Sequence, residues 1–268
     1  MTNPCGQAGN GSIYFMFVHR LHHWVTNADG WQDPPPGTPC KCSRSLCVFD
    51  DEAQRSGPTD GPAKIDVGLA VSRDGIKFTH VGGRLPFIPV GQAGSWEAKM
   101  VWALPSPVLM PGGTPEQPSP ELWLYYAGHN KDHDGVVDRA SRSGHQSGIS
   151  VARLRLDGFL SMDAPLAPLA PGKLGTAELT TVPLLFSGKQ LQLNLDARAQ
   201  GSAYVEVLHA NGTAVAGFGL ADSLPMIDDD VAQVARWRGG AAVGSLQGQA
   251  VRLRFVLSGC KLYAFQFV

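Results

Sequence analysis

Short apolar runs recur from one end of this chain to the other, and Gly, Pro, Asn or Asp stands between nearly all of them. The runs are SIYFMFV, KIDVGLAVS, MVWAL, ELWLYYAG, GISVARLRL, KQLQLNLDA, AYVEVLHA, QAVRLRFVL and KLYAFQFV. Segments of this length, alternating or apolar throughout and bounded by turn chemistry, are strands. In QAVRLRFVL, Val251, Leu253, Phe255 and Leu257 share one face while Arg252 and Arg254 take the other, so one side is core and one is wet. Helical periodicity is nearly missing. The best candidate for it, DDDVAQVARWRGG, places Val231, Val234 and Trp237 equally well for a strand entry and is read as a strand. With 32 Gly, 20 Pro and 17% charged residues the balance is that of a turn-rich, all-β chain.

At 268 residues the chain can bury most of its apolar surface, and two domains of ordinary size are expected. The net charge of −1 comes without a basic stripe, which excludes nucleic acid as a partner. No apolar run approaches the ~18–20 residues that span a bilayer, so no membrane partner is expected either. No charged segment precedes the first apolar stretch, and no targeting address is legible there. Two acceptor sequons, Asn10-Gly-Ser and Asn211-Gly-Thr, tilt the reading towards the secretory pathway. Cys40, Cys42 and Cys47 follow a C-x-C-x4-C spacing without the second C-x2-C pair of a structural zinc site. With Cys5 and Cys260 they are read as loop disulfides or free thiols, and neither a metal nor a cofactor is expected.

The first 165 residues carry an internal repeat. IYFMFVHRLHHW followed by VGLAVSRDGIKFTHVGG parallels ELWLYYAGHNKDH followed by SGISVARLRLDGFLSMD. Each unit is an aromatic-rich strand, a polar loop with histidines, a Gly-started strand and a short outer strand. Asp74-Gly75 and Asp157-Gly158 are the expected hairpin turns. Strand–loop–strand–turn–strand repetition is how a β-propeller blade reads. Beyond Asp163 the pattern changes: APLAPLAPGKLG is a linker, and the short strands after it suit a β-sandwich.

The runs DVGLAVSRDGIKFTHVGGRLPFIPVGQAGSWEAKM, ELWLYYAGHNKDH, ISVARLRLDGFLSMDA, ELTTVPLLFSGKQLQLNLDA, VEVLHANGTAVAGF and VRLRFVLSGCKLYAFQF together resemble the carboxy-terminal half of glycosyl-hydrolase-like five-bladed β-propeller proteins. These are uncharacterised relatives of glycoside hydrolase families 32 and 43 with an appended β-sandwich. The resemblance runs from about Ile13 to Val268, apart from an insert at 31–62. It implies a partial, two-blade propeller over 1–165 and a sandwich over 173–268, in a carbohydrate-active protein. In that superfamily the catalytic carboxylates lie mostly in earlier blades, which implies a fragment without the catalytic pair. Where the relatives have Asp after GSW, this chain has Glu97. Two blades leave lateral edge strands open to pairing, so an oligomer is an allowed outcome.

Glycoside cleavage uses two carboxyl groups ~5–9 Å apart. The candidates near the expected blade ends are Asp66, Asp74, Glu97, Asp132 and Asp134. Asp74 belongs to a turn pair, and its side chain is expected to cap backbone amides. Asp66 opens a strand, where it either faces the axis or sits in solvent. Glu97 follows Trp96 in a turn with Gly91 and Gly94, just before MVWAL, which reads as an innermost strand. An indole offers a wall to the C–H face of a sugar ring and a carboxylate accepts from its hydroxyls, whereas the plain alternative is a Glu97–Lys99 loop pair. In HNKDHDG, His129 and His133 with Asp132 and Asp134 stand at near-ligand spacing for a metal or offer hydrogen bonds to sugar hydroxyls, against the plainer reading of a solvated polar loop, and Asp228–Asp230 could take calcium or form a wet turn. The expected saccharide-binding set is Trp96, Glu97, Asp66, His129 and His133. A carbohydrate ligand is the expected partner, either of a glycoside-hydrolase-like protein or of a non-catalytic glycan-binding module.

Overall fold

All nine apolar runs form strands in a computed structural model, which describes residues 13–22, 64–133, 135–138, 140–164, 168–170, 173–174, 176–197 and 201–268. Among these residues there is no α-helix, only 3-10 turns at Gly82–Arg84, Arg238–Gly240 and Val243–Leu246, so the chain is all-β as its turn chemistry predicts. Two compact units emerge. One comprises 1–108 with 123–153, the other 109–122 with 154–268.

In the first unit β1 (Tyr14–His22) runs antiparallel to β2 (Lys64–Ser72), with Tyr14 opposite Ser72 and His22 opposite Lys64. The Asp74-Gly75 turn returns the chain to β3 (Thr79–His80), which pairs with β2. Asp74 Oδ1 accepts from the Ile76 and Lys77 amides, both at 2.8 Å, the capping role expected of it. These bonds hold its carboxyl below the ordinary value. β4 (Met100–Ala103) joins β2 in parallel through Ile65 and Met100, and pairs antiparallel with β6 (Glu121–His129). With β5 (Val108–Met110) and β7 (Ser147–Arg155) beside β6, seven strands form one sheet in which MVWAL holds a central place. Val67, Ile88, Val101 and Ala103 form its small apolar cluster, with Phe17 and Tyr126 packed against it.

The second repeat departs from the first. After Asp157-Gly158 the chain does not fold back as a hairpin on β7; β8 (Met162–Asp163) pairs instead with the last strand, in another sheet. Asp157 takes a left-handed φ of 53°, and Gly158 N–H closes a turn on the Arg155 carbonyl at 2.9 Å. That turn redirects the chain.

β9 (Pro168–Ala170) and β10 (Lys173–Leu174) pair with each other. The second unit then builds two sheets. In one, β15 (Val251–Ser258) lies between β11 (Thr176–Thr180) and β13 (Ser202–His209). In the other the order is β14 (Asp229–Val234), β12 (Leu191–Asp196), β16 (Lys261–Phe267), β8. The stretch with the competing helical reading is therefore a strand, β14. Leu191, Leu193 and Leu195 of β12 share one apolar cluster with Val205 and Val207 of β13 and with Val251, Leu253, Phe255 and Leu257 of β15. The alternation read from QAVRLRFVL is realised, because Arg254 points away from that cluster to Glu178 and Glu206.

Candidate functional site

The turn that carries Trp96 and Glu97 closes on itself. Gly91 N–H donates to the Glu97 carbonyl at 3.0 Å, and Gly94, at φ +90°, gives its N–H to Asp138 Oδ2 at 2.5 Å. Gly91 thus closes the turn, and Gly94 ties it to the loop between β6 and β7. Trp96 lies over two further glycines: a Cβ at position 128 would sit 2.8 Å from Trp96 Cζ3, and one at 148 would sit 3.2 Å from it. Side chains there would collide with the indole, so Gly128 and Gly148 make its bed. Tyr126 stacks on Trp96 with ring centroids 6.2 Å apart and planes 14° from parallel. Its hydroxyl donates to Glu97 Oε2 at 2.6 Å. Partial burial, and then the Glu97 bond, push the Tyr126 phenol above its ordinary value. Trp96 and Glu97 are both half-buried, and Lys99 is buried at 3% exposure.

Register separates the other candidates from this pair. Successive strand residues face opposite sides, and antiparallel partners share a side. Tyr126 and Gly128 carry Trp96 and Glu97, so His129, opposite Met100, takes the other face. There it meets Trp102 edge-on at 5.1 Å and His145, with Nδ1 and Nε2 3.5 Å apart. His133 occupies an exposed turn. Asp66, 3% exposed on the interior strand β2, is buried rather than solvated. Arg20 grips it with Nε at 2.6 Å and Nη2 at 2.7 Å, and His22 Nε2 lies 2.9 Å from its Oδ2. Burial alone would raise the Asp66 carboxyl; the bonds from His22 and Arg20 outweigh it and hold the group below its ordinary value. Only Trp96 and Glu97, of the five expected binding residues, come together.

The residues that sequence reasoning missed are partners across strands. Alternation in ELWLYYAGH does place Tyr126 and Gly128 on one face, but nothing local signals that an indole from the preceding turn lies there. Arg20, His22 and His145 become partners only through long-range register.

The histidine-rich loop between β6 and β7 is organised by buried polar side chains. Asn130, fully buried, donates to Ser141 Oγ and the Gly144 carbonyl and accepts from Gln146 N–H. Asp132 Oδ1 accepts from Val136 N–H at 2.7 Å. Among the described residues no group of three or more His, Cys, Asp and Glu side chains is placed to hold a metal ion. The Asp228–Asp230 run disperses to Gln233, to Arg155 and to the Ala232 amide respectively, rather than converging as calcium ligands would. Asn211 sits in an exposed turn, where its Oδ1 accepts from Thr213 N–H and Oγ1. Cys260 is a buried free thiol, raised by that burial. Asn10, Cys5, Cys40, Cys42, Cys47 and Asp134 lie outside the described residues.

No protein-family model and no curated protein matches the chain. A solved structure similar in part is a glycoside hydrolase family 43 arabinoxylan arabinofuranohydrolase from Bacillus subtilis, in complex with cellotetraose. It is 13% identical, with 80% of this chain and 49% of that chain covered and a TM-score of 0.22. This chain spans about half the length of that protein.

Proposed function

We infer that the chain is a carbohydrate-binding β protein of the glycoside-hydrolase-like kind, with a blade-type sheet in the first unit and an appended β-sandwich in the second, and that saccharide binds at Trp96, Tyr126 and Glu97. The observation that carries this reading is the 2.6 Å bond from Tyr126 to Glu97 beside two near-parallel rings. It fixes a carboxylate at the margin of an aromatic surface, where an apolar sugar face and its hydroxyls are met together. A pre-positioned acceptor loses little freedom on binding, which favours weak polar ligands.

Binding without cleavage is the reading favoured by the other described carboxylates of the first unit. A glycosidase needs a second carboxyl group within ~5–9 Å and free to exchange a proton. Asp66 is held by Arg20 and His22, Asp74 and Asp138 by turn amides, and Asp132 Oδ1 by Val136. A glycan array tests the binding: Trp96→Ala should lose the signal, while Trp237→Phe, a change buried in the second unit, should keep it. Equal binding by both would reject the site. Turnover of nitrophenyl fructosides, arabinosides or xylosides well above a Glu97→Gln control would replace the binding reading with a hydrolase.

A further inference from the structure

On the sheet face opposite Trp96, two imidazoles from the two ends of one loop point ring nitrogens at each other. We propose that His129 and His145 form a two-imidazole site for a borderline divalent metal ion, of the class of Zn2+, Ni2+ and Cu2+, at the base of the loop joining β6 to β7. Their nitrogens stand 3.5 Å apart. Two nitrogens bound to one tetrahedral zinc at about 2.1 Å lie about 3.4 Å apart, so the pair already has the spacing of cis ligands. The ion would sit about 1.2 Å off the line between them, within the reach of the soft outer torsion of histidine.

What distinguishes this pair from two surface histidines is the framework behind it. Each ligand neighbours a residue of the Asn130 network: His129 directly precedes Asn130, and His145 lies between Gly144 and Gln146, both bonded to Asn130. Asn130 N–H also donates to the Gln146 carbonyl at 3.2 Å, and Asp138 N–H donates to the Asn130 carbonyl at 2.7 Å. The two backbone positions are therefore fixed before any ligand arrives, and Trp102 packs against one of the rings. His145 is exposed and gives the ion an entry path.

The facing nitrogens set which tautomer the site needs. Apo, one ring donates an N–H to the other. For both inner lone pairs to reach the metal, the donor ring carries that proton on its outer nitrogen instead. Imidazole nitrogen selects borderline ions over calcium or magnesium, and water fills the remaining positions.

Calorimetric titration of the full chain with Zn2+ tests the site. His145→Ala should remove one equivalent or weaken it at least tenfold, while His209→Ala, an exposed histidine at the end of β13, should leave it in place. Zinc held by cysteines elsewhere would appear in all three titrations and cancel in the comparison. Cu2+ supplies a second readout: it should quench tryptophan fluorescence in the wild type, and less in both His145→Ala and Trp102→Phe. Identical zinc stoichiometry and affinity in wild type and His145→Ala, with both melting at the same temperature, would overturn the proposal.

Discussion

The two units solve burial in opposite ways. In the second unit twenty-one buried residues from two sheets and the segments joining their strands make one apolar cluster, whereas in the first the cluster has four. The first instead buries His22, Asp66, Lys99, Asn130, Asp132 and Asp138, while among the described residues of the second unit Glu206 is the one buried carboxylate and no Lys, Arg or His is buried. An apolar core tolerates few shape changes but needs no specific partners; a polar interior stands only while each group keeps its partner. The unit with the polar interior is also the one that carries both candidate sites. Cutting into the apolar core should have the largest effect. Phe255→Ala, at a fully buried position, is expected to cost about 3–5 kcal/mol, read as a shift of the urea midpoint at unchanged slope.

The polar interior should break at Asp66. Asp66→Asn removes a buried charge and leaves the Arg20 guanidinium facing a neutral amide, at a cost of about 3 kcal/mol. Because the folded carboxyl titrates below its ordinary value of 3.8, its contribution is fully present above that pH and is lost as the pH falls through the lower, folded value. Wild type should therefore lose stability on acidification below about pH 4 more steeply than Asp66→Asn does. Parallel acid curves for the two would assign the stability of β1–β2 to the ladder alone.

Legibility in the sequence divides along the same line. Strands of the second unit announce themselves, since period two in VRLRFVL and LQLNLD maps directly onto one buried face. In the first unit KIDVGLAVS reads as a strand, yet the fate of Asp66 depends on Arg20, 46 residues earlier, reaching it across a ladder. The Asp74 cap was legible because its partners are two and three residues away. Asp157-Gly158 had the same dipeptide and another outcome, since the path of a chain beyond a turn is decided by where the next strand finds a partner. β8 found β16. Trp96 and Glu97 were legible as a pair, but Tyr126, which holds them, was not.

The start of the second unit's long segment offers a smaller test. Arg155 bonds the Asn194 side chain at 2.5 Å and the Leu195 carbonyl at 3.0 Å, pairs with Asp229, and lies over the Tyr263 ring at 5.3 Å. A chain of residues 154–268 retains Arg155, Phe159 and β8, whereas 170–268 lacks all three. Both are expected to melt cooperatively, the longer more stable by about 2 kcal/mol, the scale of hydrogen bonds to a charged group. Equal melting would mean that the segment from 154 to 163 rests on the sheet without stabilising it.

The smallest stability effect belongs to the site itself. Tyr126→Phe removes the hydroxyl that donates to Glu97 and keeps the ring stacked on Trp96, so apolar packing is conserved. Glu97 is half-buried, and water can take over part of the lost bond; about 1 kcal/mol is expected from thermal unfolding. Glycan binding should fall by more than stability does, because a released carboxylate samples orientations in which it no longer meets a hydroxyl above the rings. Gly128→Ala should lose binding with a larger stability cost, about 1–3 kcal/mol, its Cβ striking the indole and displacing both Trp96 and Glu97. If Tyr126→Phe bound glycans as the wild type does, the hydrogen bond would be a fastening of the turn, and the polar half of the site would have to be sought in another side chain.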